Sequence, residues 1–324
     1  MELIDTATHR DGREMAREFL EHGAPFLWPE LPDLAGLPPD RIAALPPLPY
    51  GDPEFSARLL REQTDSTTTD SSRPPAVIEQ QLAWLRAKLP GWRAGRVHHP
   101  LCGPGAYTAA LAGHGLTGYV GVDAGPAVVE HARRRFAGQD HVRFVLGDVR
   151  DTAVPAGEPA CDTLLLTYDA ANFFAPRALR ELLGSLVRGL RPGGIAVLDL
   201  RLAEDGTPGF DEGRRVHRRR TGSVFRDGPH LLLSEGFTAA DGTLLGHRIV
   251  AVDDGPGGRP PEVFHSVLHV PTAAQLTAVL TAAGLDVCVL GRPFAGCDDP
   301  NLARHLVAAR KQRTTHRTLQ WRQP

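Results

Sequence analysis

Residues 97–123 read Val-His-His-Pro-Leu-Cys-Gly-Pro-Gly-Ala-Tyr-Thr-Ala-Ala-Leu-Ala-Gly-His-Gly-Leu-Thr-Gly-Tyr-Val-Gly-Val-Asp. A short apolar run, Val97 to Cys102, enters the glycine turn Gly103-Pro104-Gly105, from which the helical stretch Tyr107 to Ala112 opens. A second apolar run, Gly118 to Val122, then ends in an acid, Asp123. Strand, tight turn, helix and strand in that order predict a βαβ unit with parallel strands. Glycine permits the turn and lets a ligand approach the backbone, while the helix N-terminus presents unpaired N–H groups. The carboxylate of Asp123, about 18 residues past Gly105, is placed to accept both hydroxyls of a ribose. His98 and His99 alternate on the first strand, so they point to opposite faces and cannot share one metal ion.

The rhythm continues outward. Val142 to Leu146, Thr163 to Thr167 and Ile195 to Leu200 read as strands, and Ala127 to Phe136 and Arg177 to Leu190 as helices. Strands alternating with helices predict an α/β, doubly wound Rossmann-like sheet whose right-handed crossovers gather the ligand site along one edge. Gly147-Asp148 closes the third strand, where Asp148 would accept from an adenine amino group or the adjoining backbone at Val149 would hold the ring. Leu190-Arg191-Pro192-Gly193-Gly194 stops a helix and starts the fifth strand.

Around this core, at 96–200, the pattern changes twice. Residues 1–95 read as an N-terminal arm and helical cap: Pro25 to Pro53 is thick with proline, Asp52 to Glu62 is a short helix, Thr64 to Ser72 a polar loop, and Ala76 to Leu89 an amphipathic helix. Residues 201–270 read as an antiparallel β insertion over the site, with strands Val224 to Phe237, His247 to Val252 and Val263 to Val270 joined by glycine turns at Asp241-Gly242 and Gly255 to Gly258. Residues 271–324 return to the core with a helix, Thr272 to Ala283, and a strand, Leu285 to Leu290.

The 324 residues carry 36 Lys+Arg against 38 Asp+Glu, a formal charge of -2, which offers no global field for a polyanion. Nucleic acid is therefore not the expected partner, and the basic run Arg214 to Arg220 reads as a solvated loop. The 4 cysteines form no CxxC pair, which argues against a zinc knuckle or disulfide scaffold and for a reducing cytoplasm. Neither a signal peptide nor a membrane span is expected, and no metal.

The glycine turn, Asp123, Gly147-Asp148 and the LxPGG-like turn, in this order, resemble the class I S-adenosylmethionine-dependent methyltransferases over about residues 96–200 and more loosely to 290. Ser72-Arg73 and Tyr168-Asp169-Ala170-Ala171-Asn172-Phe173 are similar to small-molecule members that carry a cap and an insertion. The resemblance implies a seven-stranded sheet whose last strand is antiparallel. It also implies S-adenosylmethionine held at Gly103, Gly105, Asp123, Asp148 and Val149, and a small-molecule substrate. A homodimer or a partner subunit is left open.

One stretch departs from the family. Its first strand normally ends acid-x-Gly-x-Gly-x-Gly, and here His99 stands for the acid and Leu101 for the first glycine. Leu101 is expected to crowd the methionine half of the cofactor, and the lost carboxylate removes an anchor for its ammonium. Three alternatives follow: ordinary binding with substitute contacts, Arg73 pairing with the cofactor carboxylate; binding in a bent form, so that another carbon is attacked; or a pocket turned to another substrate. Tyr168, Asp169 and Asn172 are expected to face the reacting centre, Asp169 as base, Tyr168 against the sulfonium or acceptor, Asn172 orienting an amine or carboxylate. Glu235, His247, His265 and His269 would close over the substrate from the insertion, with His265 and His269 packing as strand neighbours rather than chelating. The function expected is methyl transfer to an O, N or C nucleophile in specialised metabolism. The alternatives are a cyclase closing a small nitrogen ring, such as an aziridine or azetidine, with methyl transfer lost, and an inactive subunit that stabilises a partner.

Overall fold

The computed structural model describes residues 34, 37–65, 67, 71–151, 157–203, 213–239, 242–253, 259–295, 302 and 304–313. The glycine turn expected at 255–258, Asp241 and most of the proline arm before Leu34 lie outside them. In chain order the elements are α1 Pro39–Ala43, α2 Pro53–Gln63, α3 Pro75–Lys88, β1 Gly95–Pro100, α4 Ala106–Ala112, β2 Leu116–Asp123, α5 Pro126–Arg135, β3 Val142–Leu146 and β4 Cys161–Leu166. A 3-10 turn at Ala170–Phe173 follows, then α6 Pro176–Arg188, β5 Leu190–Leu200, β6 Gly213–Arg219, β7 His230–Thr238, β8 Leu244–Asp253, β9 Glu262–His269, α7 Ala273–Ala282, β10 Leu285–Gly291 and β11 His305–Lys311.

A seven-stranded sheet runs in the order β10-β11-β5-β4-β1-β2-β3. Strands β1 to β5 run parallel to one another, while β11 is antiparallel to both β5 and β10. The strand alternation sorts the core into two layers. Leu164, Leu166, Ala196 and Leu198 meet the apolar stripes of α6 and α7. Val97, Tyr119, Leu165 and Val197 meet α3, α4 and α5 on the other face. The stripe of α6 is read directly from Leu179, Leu182, Leu183, Leu186 and Val187, all buried. The ends are fixed locally: the Asp52 carboxylate accepts from Phe55 N at 2.8 Å to start α2, and Thr272 with Gln275 forms a capping box on α7.

Residues after 203 form a second, antiparallel sheet, β6-β7-β8-β9. Two expectations are corrected here. The basic run is not a loop: residues 213–219 are the edge strand β6, paired to β7 from Gly213↔Gly236 to Arg219↔His230. The described side chains Arg215, His217, Arg218 and Arg219 are exposed, so a charged edge keeps the strand from pairing further. The strand expected at Val224 to Phe237 begins only at His230. β11 is the antiparallel last strand that the resemblance implies; the sequence reading assigns no stretch to it, and it lies between β5 and β10.

At the centre of the sheet β1 places His98 and His99 on opposite faces, both buried. Burial depresses both rings, His98 to about 4 and His99, which also feels His98, to about 3. An unfolded histidine titrates near 6.5, so on acidification the unfolded chain takes up protons first and stability falls as pH drops from about 6.5 towards 4. Unfolding midpoints measured between pH 8 and 5 should decline with a slope of up to about 1.4 kcal/mol per pH unit for each such histidine, and His99→Gln should flatten part of it. A profile flat across that window contradicts this. In the second sheet the Phe237 ring fills the space above Gly246, where a Cβ would stand 2.0 Å from it. Gly246→Ala should therefore cost about 1–3 kcal/mol and lower the melting temperature by several degrees; an unchanged melting curve contradicts the packing.

Candidate active site

The C-terminal ends of β1, β2, β4 and β5 meet at one edge of the large sheet. At β1 and β2 the glycine turn is locked to Asp123. Gly103 N donates to Asp123 Oδ2 and Gly125 N to Asp123 Oδ1, both at 2.9 Å. The two donors hold the carboxylate in one orientation, and each oxygen keeps a lone pair for a ligand. Burial raises the Asp123 carboxyl, opposed by backbone hydrogen bonds from Gly125, Gly103 and Ala124. Gly105 is required by its neighbours: it has φ 78, and a Cβ would stand 2.8 Å from Phe144 and 2.9 Å from Phe136. Above Gly103 a Cβ would stand 3.7 Å from the Gln63 amide, so the turn lies in contact with the end of α2.

α2 covers this turn. Ser56 Oγ accepts from Ala127 N at 3.1 Å, tying α2 to the start of α5, and Arg58 Nε donates to Val224 O at 3.0 Å, tying it to the insertion. Tyr50, just before α2, packs edge-on against Phe55 and Phe173, and burial together with the Asp123 charge pushes its hydroxyl up. At the end of β3, Asp148 is held by Arg150 through its backbone N and guanidinium, which keeps the carboxyl low; Val149 is buried in the core.

The other half of the edge is built differently. Among the described residues, three non-glycine residues have left-handed backbone: Leu101 (φ 53), Tyr168 (φ 57) and Asp169 (φ 58). All follow the neighbouring strands β1 and β4, and each costs about 1–2 kcal/mol, a strain that concentrates at functional sites. Leu101 keeps the conformation a glycine would supply, and its partly buried side chain packs against the apolar cluster that α6 and α7 share with the sheet. His99 occupies the position of the family acid as a neutral ring with both nitrogens engaged, Nδ1 with Tyr119 Oη at 2.9 Å and Nε2 with Thr167 Oγ1 at 3.0 Å.

Arg73 comes from the loop before α3 and meets a residue that sequence reasoning missed, Asp199 at the end of β5. Arg73 Nε and Nη2 donate to Asp199 Oδ2 at 2.9 and 2.7 Å, Gln81 Nε2 at 3.2 Å and Tyr168 N at 3.3 Å. Tyr107 Oη donates to Gln81 Oε1, and the Arg73 guanidinium stands 5.0 Å above the Tyr168 ring. The signal available in the sequence was an acid closing the otherwise apolar run Ile195 to Leu200.

Four expected site residues are placed elsewhere in the chemistry. Asp169 is clamped between Arg304, at 2.6 and 2.8 Å, and Arg201, at 3.2 Å, so its carboxylate balances two guanidiniums rather than standing ready as a base. Asn172 spends its amide on the fold: Nδ2 donates to Arg201 O and His269 O, and Oδ1 accepts from Arg201 N. It joins β5 to β9 instead of orienting a substrate. Glu235 pairs with Arg248, and His265 lies across from Arg248 on β9. Their face of the second sheet carries Phe237 and packs on Leu34 and Ile42. The core side is the other face, where Phe264 meets Phe55 and Leu268 packs near Ala203. Glu235 and His265 thus lie on the face that packs on Leu34 and Ile42, and His247, which shares the register of Ser266, on the face of Phe264.

The profile of a methyltransferase domain matches residues 101–194. A curated relative, the demethylmenaquinone methyltransferase of Clavibacter sepedonicus, is 35% identical over 96 residues, which are 30% of this chain and 37% of that protein. Among solved structures, an S-adenosylmethionine-dependent methyltransferase from Clostridium acetobutylicum ATCC 824 superposes with a TM-score of 0.56 at 12% identity, over 80% of this chain and 97% of that one. The sugar N-methyltransferase KedS8 from Streptoalloteichus sp. ATCC 53650 superposes with a TM-score of 0.55 at 20% identity, over 78% and 92%. The chain has the fold of the class I S-adenosylmethionine-dependent methyltransferases, with a methyltransferase domain at residues 101–194.

Proposed function

We propose that the protein transfers a methyl group from S-adenosylmethionine to an O, N or C nucleophile of a small molecule in specialised metabolism. The observation that carries this reading is the Gly103–Asp123–Gly125 lock, which fixes one carboxylate at the end of β2 against the glycine turn. S-adenosylmethionine, when bound, supplies an electrophilic methyl on a sulfonium. Asp123 would hold the ribose hydroxyls, Asp148 and the Val149 backbone the adenine edge, and Arg73 the methionine carboxylate. Transfer is an in-line displacement, so the chain's task is mainly to position the acceptor and exclude water. Tyr168, fixed by its backbone bond to Asp199 and by the guanidinium over its ring, is the side chain that would contact the reacting centre. Asp169 then serves by holding Arg201 and Arg304, and an acceptor that arrives deprotonated needs no further base.

The substrate class follows from charge and architecture. The arginines of β6 lie on the edge of the second sheet away from β9, the strand that Asn172 joins to the large sheet, and the net charge is -2, so neither supports a polyanion at the groove. A second reading, a cyclase that has lost methyl transfer, is favoured by one observation: a neutral, fully engaged His99 where the family has a carboxylate.

Calorimetric titration with S-adenosylhomocysteine separates the two. The methyltransferase reading expects binding to the wild-type chain and a loss of about tenfold or more in Asp123→Ala, as removal of a carboxylate accepting from hydroxyls predicts. No heat of binding with the wild type, alone or with a candidate substrate, removes the reading and leaves the cyclase.

A further inference from the structure

The Asp199 carboxylate is used unevenly. Its Oδ2 takes Arg73, Gln81 and the Tyr168 amide, while its Oδ1 is buried and has no hydrogen-bond partner. Asp199 itself is 1% exposed. A carboxylate oxygen sealed from water without a donor costs free energy that a folded protein rarely leaves uncompensated, and such an atom at the active edge of a sheet is a place built for a donor from outside the chain.

We propose that Asp199 Oδ1 accepts the α-ammonium of the cofactor's methionine end, a role displaced from the end of β1 to the end of β5. The inference rests on the binding of S-adenosylmethionine proposed above. An amino acid end presents a cation and an anion on one carbon, so its receptor needs an acceptor and a guanidinium in contact. Arg73 and Asp199 are in contact, at 2.7 Å. Of the groups nearest to it on this half of the edge, Asp169 is held by Arg201 and Arg304, and His99 is neutral with both nitrogens engaged, while Asp123 is the residue proposed for the ribose. The turn that carries Tyr168 N to Asp199 is one of the strained segments, which fixes the carboxylate's direction from the β4 side while Gln81 fixes it from α3. Asp199 is in this account a binding residue for the cofactor, and a charge-assisted bond is the expected interaction.

The test uses two ligands that differ only in the amino acid end: S-adenosylhomocysteine, and 5'-methylthioadenosine, which lacks it. In calorimetry on the full chain, Asp199→Asn should weaken S-adenosylhomocysteine by about tenfold or more, the loss expected for a charge-assisted hydrogen bond, and leave methylthioadenosine nearly unchanged. Equal weakening of both ligands, or of neither, overturns the proposal. Because Asp199 also anchors Arg73, a wild-type measurement stands beside the variant: an analogue of S-adenosylhomocysteine lacking only the amino group should bind the wild type about tenfold more weakly than the parent, and equal binding overturns the proposal without any substitution. If the wild type binds neither S-adenosylhomocysteine nor methylthioadenosine, it is the methyltransferase reading that fails; binding of both with no effect of Asp199→Asn defeats this inference alone.

Discussion

One carboxylate organises the active edge. By accepting from Gly103 N and Gly125 N, Asp123 joins the turn after β1 to the turn after β2. The arrangement depends on Gly105, whose missing Cβ lets Phe136 and Phe144 close beneath the turn. It depends also on α2, which is pinned to α5 by Ser56 and to the second sheet by Arg58. A side chain at Gly105 would push the aromatic pair away and open the floor; loss of the α2 contacts would open the roof.

The opposite half of the edge shows how a fold tolerates the loss of a signature residue. Where a carboxylate and a glycine are expected, the chain has a histidine turned into the core and a leucine that adopts a glycine's backbone at the expense of strain. The negative charge is not lost from the region, because Asp199 supplies one two strands away, where Arg73 from the cap reaches it. Cap and core are therefore coupled by a buried ion pair, and such a pair is worth more for the geometry it imposes than for net stability.

The parts of this structure legible in the sequence are those written in local periodicity. The strands β1 to β5, the helices between them and the glycine turn follow from apolar runs and turn residues alone, and Asp123 could be placed because an acid ending β2 has one direction to point. β6 was misread because arginines on an exposed edge strand look like a solvated loop, and β11 was not located because its pairing with β5 and β10 is long-range and leaves little trace within seven residues. At the site, residue type was visible but partnership was not. Asp169, Asn172 and Glu235 have the chemistry of a catalytic set, yet Arg304, His269 and Arg248, which engage them, are 135, 97 and 13 positions away. Asp199 was hidden for the converse reason, a single acid inside an apolar strand whose meaning appears only when Arg73 and Gln81 arrive from the cap.

The proposed site keeps the nucleoside on Asp123 and takes the cofactor's ammonium at the end of β5 instead of β1. A crystal structure of the full chain grown with S-adenosylhomocysteine tests it most directly. Ribose hydroxyls on the Asp123 carboxylate and the ligand's amino group on Asp199 Oδ1 beside Arg73 are the expected result. Ligand density with the ribose away from Asp123, or with the amino group turned to His99 and Leu101, contradicts it.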